Sequence, residues 1–254
     1  MKNFTYFILL VSVALGVTVL LSSNTEEKIP NRIVGIGKSF QELNSKIRER
    51  SISPDSAKLH FQEIVKELRE VTAIRKATIC KDSIRFVFPV KSYTPRSIGG
   101  NGSGYFPRHY NMFDHSANNS HPAQDVFIRD LDGDNIDDRT CQPVDLLAMR
   151  PGVVIAVETN WQPDSEYRGG NFIWIYDPCM DGLFYYAHNY TVAVKVGDEV
   201  TIGQKIGEVG RTGMNAAKPR SQTHLHLMYL QLLPDGLPEP RNTYDWLLKA
   251  QLVK

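Results

Sequence analysis

The chain has 254 residues, of which 42% are hydrophobic and 22% charged, and its formal net charge is +1. This length fits one larger domain or two small ones, and the composition is that of a protein with a packed core, which excludes extensive disorder. The near-neutral charge provides no basic surface for nucleic acid and no strong preference for acidic partners.

The N-terminus has a positive start followed by a long, largely apolar run. Lys2 precedes the run at residues 4–21, and Ser22-Ser23-Asn24 follows it. This order is typical of a secretory signal, but the run is long enough to span a membrane and no A-x-A-like cleavage site follows. We therefore expect residues 1–23 to be a cleaved signal peptide or a retained anchor to the inner membrane. The rest of the chain is predicted to be exported to the periplasm or cell envelope.

Three cysteines are present, Cys80, Cys141 and Cys179. An exported protein can hold one disulfide, which leaves one thiol over, and the sequence alone does not choose among the three pairings. Cys141–Cys179 is favoured because both residues lie in the strand-rich half. None has the C-x-x-C spacing of a zinc or redox site.

Residues 24–81 are predicted to form a linker and a helical hairpin. Residues 26–37 read as the linker, and the apolar spacing over residues 39–50 predicts the first helix. Ser53-Pro54-Asp55 is a helix-start signal, and an apolar stripe continues to Val71. The hairpin carries no recognisable chemistry. It is expected to pack on the next domain, to space it from the membrane, or to cover the active site as a regulatory segment.

From residue 84 onward the pattern changes to short strands separated by Gly, Asp and Asn turns. A glycine-rich loop is expected at residues 99–120, a hairpin-like segment at residues 196–207 and a short closing helix at residues 244–252. Strands are predicted at residues 84–90, 152–158, 172–176, 183–188, 205–209 and 223–230. The second half is therefore mostly β, and residues 82–254 are predicted to be one domain.

The last predicted strand carries two histidines with the spacing of neighbours on one face. His224 and His226 would lie about 6.6 Å apart along an extended backbone, with both rings on the same side of the sheet. One imidazole can bind a metal ion while the other handles a proton beside it. A pair of surface histidines is the plain alternative.

A carboxylate and a further histidine occur at residues 121–125. His121 and Asp125 would be about 13 Å apart in a straight strand, so this segment must turn if both bind one ion. One carboxylate and two histidines are three protein ligands for zinc, which leaves the fourth position open as in catalytic sites. His188, in Tyr-Ala-His at a strand end, could move protons beside them.

The ordered set of motifs resembles the lysostaphin-type zinc endopeptidases, which have the duplicated hybrid motif fold and cut the peptide part of bacterial peptidoglycan. The resemblance covers residues 84–232. It is carried by Phe-Pro-Val at 88–90, H-x-x-x-D at 121–125, Pro-Gly-Val-Val at 151–154, Tyr-Ala-His at 186–188, the glycine-punctuated run at 197–207, Val-Gly-Arg-Thr-Gly at 209–213 and His-Leu-His at 224–226.

The resemblance implies a mainly β fold, an antiparallel β-sheet domain with a catalytic groove, preceded here by the helical hairpin. Residues 82–254 would be the zinc metallopeptidase domain. His121, Asp125 and His226 would bind zinc, His224 would be the general base, and His188 would help to hold the transition state. The implied function is hydrolysis of peptide bonds in peptidoglycan stem peptides or cross-links.

A long acidic insertion departs from the family pattern between residues 126 and 143. Asp130, Asp132, Asp134 and Asp138 fall at positions 1, 3, 5 and 9 of a calcium-loop pattern. The usual glycine at position 6 is Asn135, and Cys141 stands where the bidentate Glu is expected. Calcium binding and a plain solvated loop are therefore both open.

Two other function classes remain open from the sequence. The same fold could serve as a non-catalytic peptidoglycan-binding scaffold, or as an activator of another cell-wall hydrolase. The glycine-punctuated hairpin also resembles biotinyl and lipoyl carrier domains, but it has no turn that presents a modifiable lysine. The full set of metal and proton positions favours the enzyme.

Overall fold

The structure is a computed structural model that describes residues 31–81, 85–114 and 120–254. Two long helices precede a chain that is mostly antiparallel β-sheet, which confirms the expected fold class. The predicted signal or anchor lies outside the described residues. Within the described part, no helix has the length and apolar character needed to cross a membrane.

The N-terminal helical pair consists of α1, described over residues 31–48, and α2, Pro54–Ala73. Helix α1 already includes residues 31–37, so the prediction of a linker there is wrong: Ile33 and Ile36 are buried at helical spacing with the rest of its apolar face. Helix α2 starts as predicted, because the Ser53 hydroxyl accepts a hydrogen bond from the Ser56 amide. A single-turn helix, α3, follows at Lys76–Ile79.

A seven-stranded antiparallel sheet forms the centre of the molecule. Its members are β1 Ala123–Phe127, β3 Gly152–Glu158, β4 Phe172–Asp177, β5 Gly182–Ala187, β7 Glu199–Val200, β9 His224–Leu232 and β10 Pro238–Arg241. Their order in the sheet is β1-β9-β5-β4-β3-β7. Strand β10 shares an edge of β9 with β1, because β1 pairs with the first half of β9 and β10 with the second.

A second, three-stranded sheet has the order β2-β8-β6, with β2 at Asp145–Leu147, β6 at Thr191–Val192 and β8 at Lys205–Glu208. The prediction of a hairpin over residues 196–207 is wrong, because β7 joins the large sheet and β8 the small one. The predicted strand at residues 84–90 is also absent from its described part. Only isolated bridges form there, from Val87 to Gln251 and from Val90 to Leu146. Helix α4, Tyr244–Lys249, closes the chain as expected.

The helical pair packs on one face of the large sheet and shares a hydrophobic core with it. Phe40 of α1 contacts Phe61 of α2 and Trp174 of β4, with ring centroids 6.2 and 5.7 Å apart. The Gln41 amide also donates to the carbonyl oxygen of Val157 at 2.9 Å. Residues on the opposite face of the sheet, such as Phe184 and Tyr229, belong to a second core. The sheet therefore separates two apolar layers.

The disulfide joins Cys80 to Cys179, so the favoured pairing of Cys141 with Cys179 is wrong. Cys80 follows α3 and Cys179 lies in the β4–β5 turn, and the packing of the helical pair on the sheet brings them together. Cys141 is a free, exposed thiol. The disulfide spans 99 residues and ties the end of the helical segment to the sheet.

Candidate active site

Three side chains named from the sequence meet at the edge of the large sheet. Nε2 of His121 lies 3.1 Å from Nδ1 of His226 and 3.3 Å from Oδ1 of Asp125. The third edge of this triangle, between His226 and Asp125, is 3.1 Å. These donor atoms form one of the groups in the described residues that could hold a metal ion.

Strand pairing places two of these side chains on the same face. Asp125 on β1 is the direct partner of His226 on β9, and His226 also pairs with Ala187 on β5. Directly opposed residues in an antiparallel pair point to the same side of the sheet. His121 lies before the first residue of β1 and forms an isolated bridge with Phe106. The segment between His121 and Asp125 is therefore not a straight strand, and the ring of His121 reaches Asp125.

The hydrogen bonds of the rings determine which nitrogens face the site. Nδ1 of His121 is 2.8 Å from the carbonyl oxygen of Gly104, which only accepts, so in the neutral ring Nδ1 carries the proton and Nε2 presents a lone pair. His226 presents Nδ1 to the same point. A carboxylate oxygen and two imidazole nitrogens therefore converge, and a single proton cannot satisfy all three.

This donor set fits zinc in distance and in chemistry. Zinc bonds of 2.0–2.1 Å in a tetrahedron imply donor–donor separations of about 3.3–3.4 Å, close to the observed edges of 3.1–3.3 Å. A backbone carbonyl behind one histidine ligand is the outer support usual in zinc sites. The three residues fit an open, three-ligand site.

His224 and His188 lie beside the triangle. Their ring centroids are 4.8 Å apart, and that of His188 is 5.5 Å from that of His226. Nδ1 of His224 is 2.7 Å from the Gln222 carbonyl oxygen, and Nδ1 of His188 is 2.8 Å from the Thr212 carbonyl oxygen. In the neutral form, each ring therefore carries its proton on Nδ1 and leaves Nε2 as an acceptor.

The backbone turns His188 toward this face. It follows Ala187, the last residue of β5, and strand alternation would direct its side chain to the opposite side. A positive φ of 66° breaks the alternation, at the energetic cost that a left-handed conformation imposes on a side chain. Gly213 allows the supporting loop to approach: a Cβ there would lie 2.2 Å from the Arg168 carbonyl oxygen.

The electrostatics follow from burial and from the shared carboxylate. Burial alone would raise the pKa of Asp125, but its hydrogen bonds to His121 and His226 hold that pKa well below its usual range. Burial lowers the pKa of His226, and burial with the neighbouring His224 and His226 lowers the pKa of His188 strongly. For His121, burial acts to lower the pKa, but its interactions with Asp125 raise it overall.

A groove of about 740 Å³ opens beside these residues. We call it the active groove; its walls include His121, His188, His224 and His226, the loop at residues 166–170, and Asn44 and Arg48 of helix α1. The contribution of α1 was missed in the sequence, where the hairpin carried no recognisable chemistry. His60, on α2, and His109 are exposed and do not line it. His115 lies outside the described residues.

The acidic insertion forms a loop held by Asp130. Its carboxylate accepts from the amides of Gly133, Asp134 and Asn135 and from the Thr223 hydroxyl, at 2.6–3.1 Å. Carboxylate oxygens of Asp130, Asp132 and Asp138 cluster, without Asp134. The four hydrogen bonds explain the loop conformation without an ion, so calcium binding has no support from the structure.

The sequence from the acidic loop to β9 matches a known family. Residues 134–233 match the model described as Peptidase family M23. Over these residues the chain is similar to peptidase family M23. The M23 region includes His188, His224 and His226, which confirms the resemblance to lysostaphin-type enzymes, while His121 and Asp125 precede it. No curated protein matches the sequence.

Solved structures similar to this chain include three described as peptidases. A glycyl-glycine endopeptidase from Ruminococcus gnavus is 23% identical, with 76% of this chain and 72% of that chain covered and a TM-score of 0.45. The catalytic domain of lysostaphin from Staphylococcus simulans is 27% identical, with coverages of 57% and 88% and a TM-score of 0.38. A zinc-containing peptidase from Vibrio cholerae is 23% identical, with coverages of 67% and 41% and a TM-score of 0.40. These low TM-scores add no argument to the M23 match.

Proposed function

We propose that this protein is an exported zinc endopeptidase that hydrolyses peptide bonds in bacterial peptidoglycan, in stem peptides or cross-links. The convergence of one carboxylate oxygen and two imidazole nitrogens within 3.3 Å carries the proposal. Its second support is the match of residues 134–233 to a peptidase family.

His121, Asp125 and His226 would hold the zinc ion. Zinc bound there supplies Lewis-acid chemistry, polarising the peptide carbonyl and lowering the pKa of water to about 7. The negative charge of Asp125 favours a cation at this point, and two neutral imidazoles complete the set. The strand pairing of Asp125 with His226 supports this assignment, because it would hold two of the proposed donors in place before an ion binds.

His224 is the proposed general base. Its Nδ1 is fixed on the Gln222 carbonyl oxygen, so Nε2 is free to accept a proton from the attacking water. The residue is only 7% exposed, which restricts the motion of its ring, and Nε2 lies 3.9 Å from Oδ1 of Asp125. The same proton can then pass to the leaving amine as the peptide bond breaks.

His188 is proposed to stabilise the negative oxygen of the transition state. With Nδ1 directed at Thr212, Nε2 donates a hydrogen bond only after the ring has taken up a second proton, which would come from solvent in the open groove before the water attacks. The role therefore requires an imidazolium, whose positive charge opposes the developing negative charge. Burial disfavours that charge in the resting protein.

Digestion of purified peptidoglycan sacculi tests the proposal. The purified protein is incubated with sacculi alone, with chelator, and with chelator followed by zinc, and metal content is measured on the same sample. We expect soluble fragments that disappear with chelator and return with zinc. Their masses would identify the bond that is cut.

Two variants provide the controls. His224→Ala should retain zinc and release almost no fragments, and His60→Ala, a change at an exposed histidine on α2, should behave as the wild type. Bound zinc without any release of fragments by the wild type would instead favour the non-catalytic scaffold or activator.

A further inference from the structure

Helix α1 forms part of the active groove although it lies outside the family match. A ladder of aromatic contacts fixes its position relative to the site. Phe40 contacts Trp174 at 5.7 Å, Trp174 contacts Tyr185 at 4.5 Å, and Tyr185 contacts the ring of His226 at 6.2 Å. The residues one and two turns after Phe40 on this face are Asn44 and Arg48, and both line the groove.

Both side chains present a buried donor that has no partner. Nδ2 of Asn44 and Nε of Arg48 are shielded from solvent and make no hydrogen bond within the described protein. A buried donor without an acceptor is costly, and such groups in a native protein usually have a functional reason. Asn44 and Arg48 lie one helical turn apart, and both residues line the groove.

The rest of Arg48 is held in place. Its Nη2 donates to the Ser45 hydroxyl at 3.2 Å, and its guanidinium carbon lies 4.1 Å from the ring centroid of Tyr167 on the facing loop. The cation–π contact joins helix α1 to the loop at residues 166–170. The side chain is thereby preorganised with Nε still unpaired, which lowers the entropic cost of binding a ligand.

The chemistry of the donors defines the ligand. A guanidinium only donates and carries a permanent positive charge, and the Asn44 atom concerned is an amide nitrogen. Their complement is an anionic group that only accepts, and a planar carboxylate suits Arg best. The other charged residues on the groove walls are Arg50, Arg168, Asp114 and Glu166, so the local preference depends on the two α1 donors rather than on net charge.

We propose that Asn44 and Arg48 bind a carboxylate of the peptide substrate and select for acidic peptides. This inference rests on the proposed function for the identity of the substrate as a peptide, and it adds a specificity element from outside the M23 region. Two sources of the carboxylate fit: the C-terminus of a stem peptide, or the free carboxylate of a glutamate within it.

Binding of four synthetic stem peptides separates these sources. The peptides have both carboxylates free, the C-terminus amidated, the glutamate amidated, or both amidated. Dissociation constants are measured by calorimetry on the full protein with chelator present, so that no hydrolysis occurs. We expect the wild type to bind the fully acidic peptide about tenfold or more tightly than the doubly amidated one. If amidation of only one carboxylate removes this preference, that carboxylate is the one that Asn44 and Arg48 bind.

Three variants assign the preference to the donors. Asn44→Asp is isosteric and replaces the donor by a negative acceptor, and Arg48→Gln removes the charge, so each should abolish the preference for the acidic peptide. Lys46→Gln removes a positive charge from the exposed side of the same helix and should keep it. Thermal unfolding checks that the variants fold. If Arg48→Gln does not fold, the result for Asn44→Asp alone decides the test.

The outcomes for the two proposals are distinct. Equal affinities of the wild type for all four peptides, no binding of any of them, or a preference that survives Asn44→Asp would overturn the inference. Hydrolysis of sacculi with no such preference would leave the proposed function intact. A preference lost in Asn44→Asp, together with no hydrolysis by zinc-loaded protein, would support the carboxylate site and reject the enzyme.

Discussion

Asp125 and His226 are direct cross-strand partners, and their side-chain atoms Oδ1 and Nδ1 lie 3.1 Å apart. The sheet itself thus presents two of the three donors on one face, with the ring of His121 completing the set from the preceding segment. A site built on paired strands is held more rigidly than one built on loops. We therefore expect that replacing any one donor lowers the metal affinity without disturbing the surrounding fold.

Loss of one donor should remove the metal but leave the fold. We expect His226→Ala to reduce bound zinc from about one ion per chain to nearly none, because two ligands rarely hold zinc. The measurement is elemental analysis after dialysis, together with far-ultraviolet circular dichroism. His109→Ala, at an exposed histidine that does not line the groove, is the control and should keep its zinc. Full zinc occupancy in His226→Ala would contradict the ligand assignment.

Loss of the proposed base should separate binding of metal from turnover. His224→Ala should retain zinc while peptide hydrolysis falls by about 10²–10⁴-fold, the usual effect of removing a general base. Peptide release and zinc content are measured on the same preparation. Normal turnover in this variant would show that another group, such as His188, takes the proton.

The role of His188 can be distinguished by the kind of replacement. Gln can donate a hydrogen bond from its amide without taking up a proton, whereas Ala cannot. If His188 acts as a donor to the transition state, His188→Gln should retain more activity than His188→Ala, which should lose about 10²–10³-fold. Equal losses in the two variants, at equal zinc content, would argue against a donor role.

The disulfide should stabilise the packing of the helical pair on the sheet. Cys80–Cys179 closes a segment of 99 residues, and a cross-link of that span typically contributes about 2–5 kcal/mol to stability. Cys80→Ser should lower the free energy of unfolding by that amount in a urea titration. Cys141→Ser, which changes the free thiol, should have no such effect. Equal stability of the two variants would exclude a structural role for the disulfide.

The acidic loop should depend on Asp130 rather than on calcium. Asp130→Asn turns one acceptor oxygen into a donor amid four donors, so we expect a loss of about 1–3 kcal/mol in stability. Asp132→Ala, at an exposed carboxylate, should leave stability unchanged. Thermal unfolding with and without calcium tests the alternative. A calcium-dependent rise in melting temperature that is lost in Asp132→Ala would establish a calcium site.

The sequence predicts the strands and the cluster of candidate site residues because local periodicity and residue type carry that information. Strands β3, β4, β5 and β9 were expected within a few residues of their bounds, since alternation and turn residues identify buried strands. The spacing of His224 and His226 likewise places both rings on one face. These are properties of short segments and do not require knowledge of the tertiary structure.

Other features depend on contacts distant in sequence. The pairing of Cys80 with Cys179 follows from the docking of the helices on the sheet, which no spacing reveals. The supports of His188 and His224 are backbone carbonyl groups, and every residue has one, so the residue types give no signal. The groove wall formed by Asn44 and Arg48 is visible only when the helix is in place.

The stability of the loop should also depend on acid, through Asp137. Its carboxylate accepts hydrogen bonds from the Tyr93 hydroxyl and from Arg139, whose Nη2 lies 2.8 Å away. Burial alone would raise the pKa of Asp137, but these hydrogen bonds lower it from 3.8 to about 2. Because the folded pKa lies below the unfolded one, the stabilisation is fully present above about pH 4 and is lost as the pH falls toward 2.

We expect Asp137→Asn to cost about 1.5–3 kcal/mol at pH 7, and the difference from the wild type should shrink at pH 2.5 in urea unfolding. Asp164→Asn, at an exposed carboxylate, controls for the lost charge. A difference between wild type and Asp137→Asn that is the same at both pH values would show that the ionised carboxylate does not provide the stabilisation.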